Sequence, residues 1–437
     1  MLEPVYPGHA TLDDYAEAAG AEAVAELRRL AEPLRGLRVL HLSATPYGGG
    51  VAEILRSEVP LLRDLGLQAE WRLIRGDERF FTVTKSIHNG MQGAGHAVPG
   101  SERDEYLRQS ARNAAELADG YDVVVVHDPQ PLALRSFLRR STARWVWRCH
   151  IDTSAPNRAV WHFLREHVAV YDAAVFTAEG FVPPDVPDLA VHIIPPAIDP
   201  LSPKNVALDR SFARRLVSSM GFDVDRPLIA QVSRFDRWKD PFGVIDAFHR
   251  ARADTPGLQL ALIGSMALDD PEAWEIYRRL QVEAQGDRDV QLFTNITGVG
   301  NVEVNAVQTI ADVIVHRSIR EGFGLVVSEA LWKGTPVVGA HAGGIPLQMA
   351  PGDGGFLVDS TDRCAERIVW LLRHPSDAEQ IGRRGRERVR ERYLMTRLVA
   401  DDLRLYASLM ASRETAAGDD DRRAIGGFPD GFHGPPR

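Results

Sequence analysis

Ten short runs of β-branched and other apolar residues, set in two series and separated by longer helical patterns, constrain this chain more than any other feature. The first series is LRVLHLS (37–43), DVVVVH (122–127), RWVWRC (144–149), AAVF (173–176) and VHII (191–194). The second is LIAQVS (228–233), LALIG (260–264), VQLF (290–293), DVIVH (312–316) and PVVG (336–339). Strands that are apolar along their whole length, with no alternation, are buried on both faces, and the intervening helices supply the cover. Two α/β units with parallel sheets follow. The length of 437 residues agrees, because a single core does not grow to that size.

Between the series, the stretch 195–227 is rich in proline and polar residues at its start and end, and proline cannot serve a central strand, so it reads as the connection. The first unit is expected to span 1–215 and the second 216–394. Residues 381–410 read as one or two amphipathic helices. Beyond them, ETAAGDDDRRAIGGFPDGFHGPPR has too little apolar surface to offset ordering entropy, so 413–437 is expected to be a disordered tail.

The 51 basic and 60 acidic residues leave a net charge of −9, which excludes a general affinity for nucleic acid or anionic membrane. Any phosphate must be bound locally. No stretch approaches the ~20 apolar residues of a membrane span, and the N-terminus lacks a basic region followed by an apolar run. Cys149 and Cys364 have no neighbours at metal-ligand spacing and read as buried thiols. A cytoplasmic location is expected.

The local site begins with REGFGLVVSEALWKGTPVV (320–338), which follows a strand at its carboxyl end, where open α/β sheets bind ligands. The helix after EGFG exposes N–H groups near Gly322, Phe323, Gly324 and Leu325, an anion site favoured by the helix dipole. Glu321 and Glu329 are eight residues apart. That is about 12 Å along a helix, beyond the ~5–9.5 Å between the carboxyls of a glycosidase, so they suit the two ends of an extended ligand. Glu329 would bond a ribose diol and Glu321 the hydroxyls of a sugar. Taken alone, such a pair is more often a helix-stabilising anion and a solvated residue. The balance changes with QVSRFDRWKDP, which puts Arg234 and Lys239 at another strand end, opposite EGFG if the sheet is doubly wound, where two cations would neutralise a diphosphate.

The first unit contributes HLSATPYGGGVAEIL, whose Gly48, Gly49 and Gly50 let backbone amides approach a charged or sugar ligand. It matches neither G-x-G-x-x-G nor G-x-x-x-x-G-K-[ST], which disfavours hydride-transfer enzymes and P-loop ATPases. Two further strand ends carry His127, Asp128 and Gln130, and His150, Asp152 and Thr153, groups able to meet sugar hydroxyls. In FFTVTKSIHNGMQG, Lys85, His88, Asn89 and Gln92 share one face if the segment is helical, a face suited to a polyol or simply to solvent.

SRFDRWK resembles the Arg/Lys diphosphate motif, and EGFGLVVSE the E-x7-E motif, of the retaining glycosyltransferases of family 4. TLDDYAEAAG, GGGVAEIL, FFTVTKSIHNGMQG and HDPQPLAL are similar to segments of the trehalose glycosyltransferring synthases and the trehalose phosphorylases, with the likeness running from about residue 11 to 410. The resemblance implies a GT-B fold: two Rossmann-like, doubly wound parallel-sheet domains facing each other across a cleft, with helices at about 395–412 crossing back to complete the first. It implies reversible transfer of glucose from a nucleoside diphosphate glucose to free glucose, giving α,α-trehalose. Trehalose phosphorolysis and another hexosyl transfer are the alternatives.

Carried onto this sequence, the resemblance makes His150, Arg234, Lys239 and Glu321 the catalytic set. Gly49, Gly50, Gly322, Phe323, Gly324, Leu325 and Glu329 join the last three around the donor. Lys85, Asn89, Gln92, Asp128 and Asp152 would hold the acceptor. No tightly bound cofactor and no protein metal site are expected, Mg2+ accompanying at most the free nucleotide. The expected partners are small molecules, namely nucleotide sugar, glucose and trehalose, with no nucleic acid and no membrane; a homodimer is left open.

Overall fold

Residues 2–95, 98–139, 141–266 and 271–425 are described by the structure, a computed structural model. The first sheet comprises β1 (Glu3–Val5), β2 (Arg38–Ser43), β3 (Gln68–Leu73), β4 (Val123–His127), β5 (Arg144–Cys149), β6 (Ala173–Phe176) and β7 (Ala190–Ile193). Its order is β1-β3-β2-β4-β5-β6-β7, parallel except for the antiparallel edge strand β1. The second comprises β8 (Leu228–Arg234), β9 (Gln259–Ser265), β10 (Val290–Thr294), β11 (Val313–His316), β12 (Val337–Ala340) and β13 (Leu357–Val358), ordered β10-β9-β8-β11-β12-β13 and parallel throughout. Both are doubly wound, with the order reversing between β2 and β4 and between β8 and β11. The crevices at those two reversals are where such sheets receive ligands.

All ten runs singled out in the sequence form strands. Edge strand β7, one of the ten, is not buried on both faces as expected, with Val191 and Ile193 exposed, and β3, which was not among them, alternates, with only Ala69, Trp71 and Leu73 buried, as a strand next to a sheet edge can. Helices cover both faces of each sheet with separate apolar clusters. Among the described residues no helix is long and apolar enough to cross a membrane.

The expected boundary at 215/216 falls inside helix Arg210–Ser219, whose Ala213 and Val217 pack with Ile314 and Val307 in the core of the second sheet. The second unit therefore starts upstream of that boundary, because an amphipathic helix goes with the sheet that buries its apolar face. At the other end, helix Pro375–Arg392 packs on helix Leu325–Trp332, and the chain then passes Leu394, bridged to Ile198, into helix Met395–Ile425. Leu398, Val399, Leu403 and Tyr406 of that helix enter the core of the first sheet. The segment from 413, expected to lack order, continues the same helix to Ile425, since extending a formed helix adds one hydrogen bond per residue fixed. The rest of the expected tail, 426–437, lies outside the described residues.

The crossing is fixed by a wholly buried ion pair. Arg148 on β5 places Nη1 3.0 and 2.9 Å from the two carboxylate oxygens of Asp402. Replacing Arg148 by Met would strand the Asp402 carboxylate in the core. We expect a loss of about 3–5 kcal/mol in guanidinium unfolding, the cost of removing one partner of a buried pair.

Candidate active site

Strand β11 ends at His316, and the chain turns through Ser318 to Glu321 before helix Leu325–Trp332 begins. Glu321 is nearly buried, and three groups converge on its Oε2: Lys239 Nζ at 2.7 Å, His316 Nε2 at 2.7 Å and the Ser318 hydroxyl, which donates at 3.0 Å. Burial alone would raise its pKa, but the Lys239 ammonium and the His316 hydrogen bond outweigh burial and hold the carboxyl well below the usual carboxylate range. Lys239 comes from the short turn Arg237–Lys239 after β8, next to β11 in the sheet, and its carbonyl accepts from the Gln231 amide. Arg234, the last residue of β8, is exposed and 3.1 Å from Asp236. The two cations and the first glutamate thus gather at one crevice.

The helix start is shaped by close approaches. Gly324 caps it at φ 81°, a left-handed conformation that favours glycine, and a Cβ there would sit 3.2 Å from both Glu321 Cγ and His316 Nε2. Beneath the turn runs a loop that the sequence reading did not select. Gly343, at φ 52°, passes so close that a Cβ would overlap the Glu321 carbonyl, and the Gly344 N–H donates to the Gly322 carbonyl. Gln348 is buried and donates to the Phe323 carbonyl.

Glu329 lies one turn inside the helix and is 1% exposed. Its Oε2 accepts from Gln308 at 3.3 Å, and its Oε1 is 3.3 Å from Lys204 Nζ, which also reaches Glu53 at 2.7 Å. The carboxylate expected to meet a ribose is therefore satisfied by a lysine from the connection. Glu329, Lys204 and Glu53 line a cavity of about 380 Å³ between the two units, together with Asn301 and Leu325. Lys204 carried no sequence signal, since SPKNV is neither a strand end nor a motif.

The first unit meets this crevice directly. A Cβ on Gly50 would lie 3.2 Å from Leu325 Cδ1, and one on Gly322 only 2.2 Å from the His150 carbonyl oxygen. Gly49 caps helix Gly50–Asp64 in open space. Asp152, expected to bind an acceptor, is buried; its Oδ1 accepts from the Ser154 N–H and its Oδ2 is 3.5 Å from Arg320 across the interface. In this structure it clamps the two units together.

Asp128 and His150 directly follow the neighbouring strands β4 and β5, and the His150 N–H donates to Asp128 Oδ1 at 2.8 Å. Asp128 holds φ 64°, which is strained for a residue with a side chain, and burial pushes its carboxyl up to about 7 against that hydrogen bond. Segment 78–91 is helical, capped by Asp77, with Phe80, Val83, Ile87 and Met91 buried on one side. Lys85, His88 and Asn89 occupy the other, with Gln92 at the helix end. That face looks across the cleft: His88 is lowered to about 4, by burial first and then by Arg234, Lys85 and Lys239. Among the described residues no group of three or more His, Cys, Asp or Glu is arranged to hold a metal ion.

Because Glu321 titrates lower in the folded chain than the ~4.3 of a free glutamate, its ion pair contributes stability that is fully present above that value. The contribution is lost as pH falls from there towards the folded value. Thermal melts of Glu321→Gln across that acid range should depend less on pH than those of the parent.

Residues 41–183 match the family model "Trehalose synthase, N-terminal domain" and residues 214–388 match "Glycosyl transferases group 1". A trehalose synthase of Rubrobacter xylanophilus is 51% identical over 416 residues, 94% of this chain and all of that protein. One of Pyrococcus horikoshii is 43% identical over 404 residues, 92% and 97% of the two chains. A trehalose phosphorylase of Pleurotus pulmonarius is 29% identical over 81% of this chain and 54% of its own. In fold, the chain is similar to a UDP-forming trehalose-phosphate synthase from Burkholderia xenovorans (TM-score 0.68, 18% identity, 85% and 99% covered). It is likewise similar to sucrose-phosphate synthase of Thermosynechococcus elongatus (TM-score 0.67, 19% identity, 86% and 100% covered). With its two facing doubly wound sheets of the GT-B type, this chain is a glycosyltransferase and belongs to the trehalose synthase family.

Proposed function

We propose that the protein is a retaining glucosyltransferase that joins the glucose of a nucleoside diphosphate glucose to O1 of free glucose, forming α,α-trehalose reversibly. The observation that carries this reading is the Glu321–Lys239 pair beside Arg234, facing the Lys85, His88 and Asn89 side of helix Glu78–Met91 across the cleft. A crevice with two cations and a carboxylate on one side, and a face offering an ammonium, a neutral imidazole and an amide on the other, suit a diphosphate sugar and a free sugar brought end to end. The names of the two relatives at 51% and 43% identity support trehalose as the product.

In this reading Arg234 and Lys239 stabilise the leaving diphosphate together with the amides of Gly322 to Leu325. Glu321 holds hydroxyls of the donor glucose, Glu329 takes the ribose in exchange for Lys204, and the Gly49–Gly50 loop lies against the phosphates. The reading assigns no protein nucleophile, so the bond to the acceptor forms on the face from which the diphosphate leaves. The acceptor's O1 proton passes to the departing phosphate oxygen. Catalysis then consists of positioning and charge stabilisation, helped by exclusion of water between the two units. Lys85, Asn89, Gln92 and Asp128 orient the acceptor. No bound cofactor takes part, and Mg2+ accompanies the free nucleotide only.

The test incubates the protein with glucose and a panel of nucleoside diphosphate glucoses, with α-glucose 1-phosphate as the competing donor, and identifies the disaccharide. α,α-Trehalose from a nucleotide donor is expected; formation from glucose 1-phosphate alone would make the protein a phosphorylase. Arg234→Ala and Lys239→Ala should each lower kcat/KM for the donor by about 10²–10³, the scale of one lost charge-stabilising group. Asn89→Ala should raise the KM for glucose about tenfold, one hydrogen bond's worth, with little change in kcat.

A further inference from the structure

The reaction outlined above gives no task to a row of buried side chains that ends at His150. Glu58, wholly buried on helix Gly50–Asp64, has Oε1 3.7 Å from Nε2 of His41 on β2. Nδ1 of His41 is 3.1 Å from Nε2 of His127 at the end of β4, and Nδ1 of His127 is 2.9 Å from Nε2 of His150 beyond β5. The rings stack at centroid separations of 5.3 Å, tilted by 26° and 14°. Strands β2, β4 and β5 are adjacent, and the row steps along them towards the ligand-binding end: His41 is in register with Val125, two residues before His127, and His150 lies two residues past Arg148, the partner of His127.

Each nitrogen–nitrogen contact needs one N–H and one bare nitrogen. Burial keeps the rings neutral: His41 is lowered to about 3, by burial and then Arg148, and His127 and His150 are lowered well below the ordinary value, burial again leading. A neutral imidazole carries a single proton, so the direction of donation is the same along the whole row and is decided at its buried end. There, both Glu58 oxygens and His41 Nε2 lack a hydrogen-bond partner, and Asp402 with its Arg148 stands beside them. Burial, and then the Asp402 charge, raise the Glu58 carboxyl well above its ordinary value, which favours its protonated form. Its proton goes to the charged Asp402, a stronger acceptor than a neutral ring. The other Glu58 oxygen, 3.7 Å from His41 Nε2, then attracts the Nε2–H through its partial charge without closing a hydrogen bond. An ionised Glu58 would attract the same N–H more strongly.

We propose that Glu58, through His41 and His127, fixes the tautomer of His150 with its proton on Nε2, leaving Nδ1 bare to accept a hydrogen bond from a hydroxyl of the sugar in the cleft. Glu58, His41 and His127 are positioning residues, and only the identity of the ligand as a sugar rests on the function proposed above.

Two measurements test this. In the ¹⁵N spectrum of the histidine-labelled full chain, with His150 assigned by its loss in His150→Gln, Nε2 should carry the proton; a protonated Nδ1 overturns the proposal. In kinetics, Glu58→Met replaces the acid by an apolar group of similar size, so a purely structural role predicts parental kcat and at most a changed melting temperature. We expect kcat to fall about 10- to 100-fold, the scale on which groups that orient a histidine act, with the KM for glucose little changed. Glu58→Gln should recover most of the loss, because its amide oxygen attracts the same His41 N–H while its amide nitrogen donates to Asp402. Parental kcat in a folded Glu58→Met overturns the proposal. If the unmodified chain transfers no glucose, the proposed function fails, and the spectrum still decides the tautomer.

Discussion

The structure depends on two glycines that allow its halves to touch. Gly322 lies against the His150 carbonyl and Gly50 against Leu325, and a single methyl group at Gly322 would need space already filled by backbone. Each pair joins the ligand-binding end of one sheet to that of the other. The crevices at the two strand-order reversals are thereby brought to face each other. The Asp152–Arg320 pair reinforces the same seam, and the Arg148–Asp402 pair holds the returning helix that ties the first unit to the end of the second.

Within that seam the charge is local and ordered. The chain as a whole is acidic, yet Lys239, Arg234 and a helix start converge where a diphosphate would lie. Glu321 makes this arrangement self-consistent, since its ionised carboxyl holds Lys239 in place through one oxygen that His316 and Ser318 also support.

The parts legible in the sequence are those with a short-range signature. Continuous apolar runs marked ten strands, and glycine-flanked carboxylates and strand-end cations marked the second unit's crevice, because strand ends and helix starts have local rules. Positions fixed by long-range packing were not legible. Lys204 reaches Glu329 from a connection without regular structure, and Gly343 matters only because it passes beneath Glu321, 22 residues earlier in the chain. His316 could have been found, since it ends a strand as His127 does. Asp152 was selected as a polar strand-end residue, but its partner Arg320 lies in the other unit, and no spacing within the sequence encodes that pair. The boundary at 215 failed for a related reason: a helix belongs to the sheet that buries it, and the sequence marks the helix without naming the sheet.

The two halves of the site solve different solvation problems. On the second unit the ligand groups are ionic, and each buried charge has a counter-charge, as a low-dielectric site requires. On the first unit, burial drives the groups towards their uncharged forms: three stacked histidines are held neutral and Asp128 is raised to about 7. A neutral surface matches hydroxyls, which both donate and accept, but it discriminates only if each group's donor or acceptor sense is fixed. In water that sense would be lost to exchange between tautomers. A row of rings ending on one buried acid removes the freedom without introducing a charge, which is how a core carboxyl far from any ligand can determine what a cleft histidine offers to a sugar.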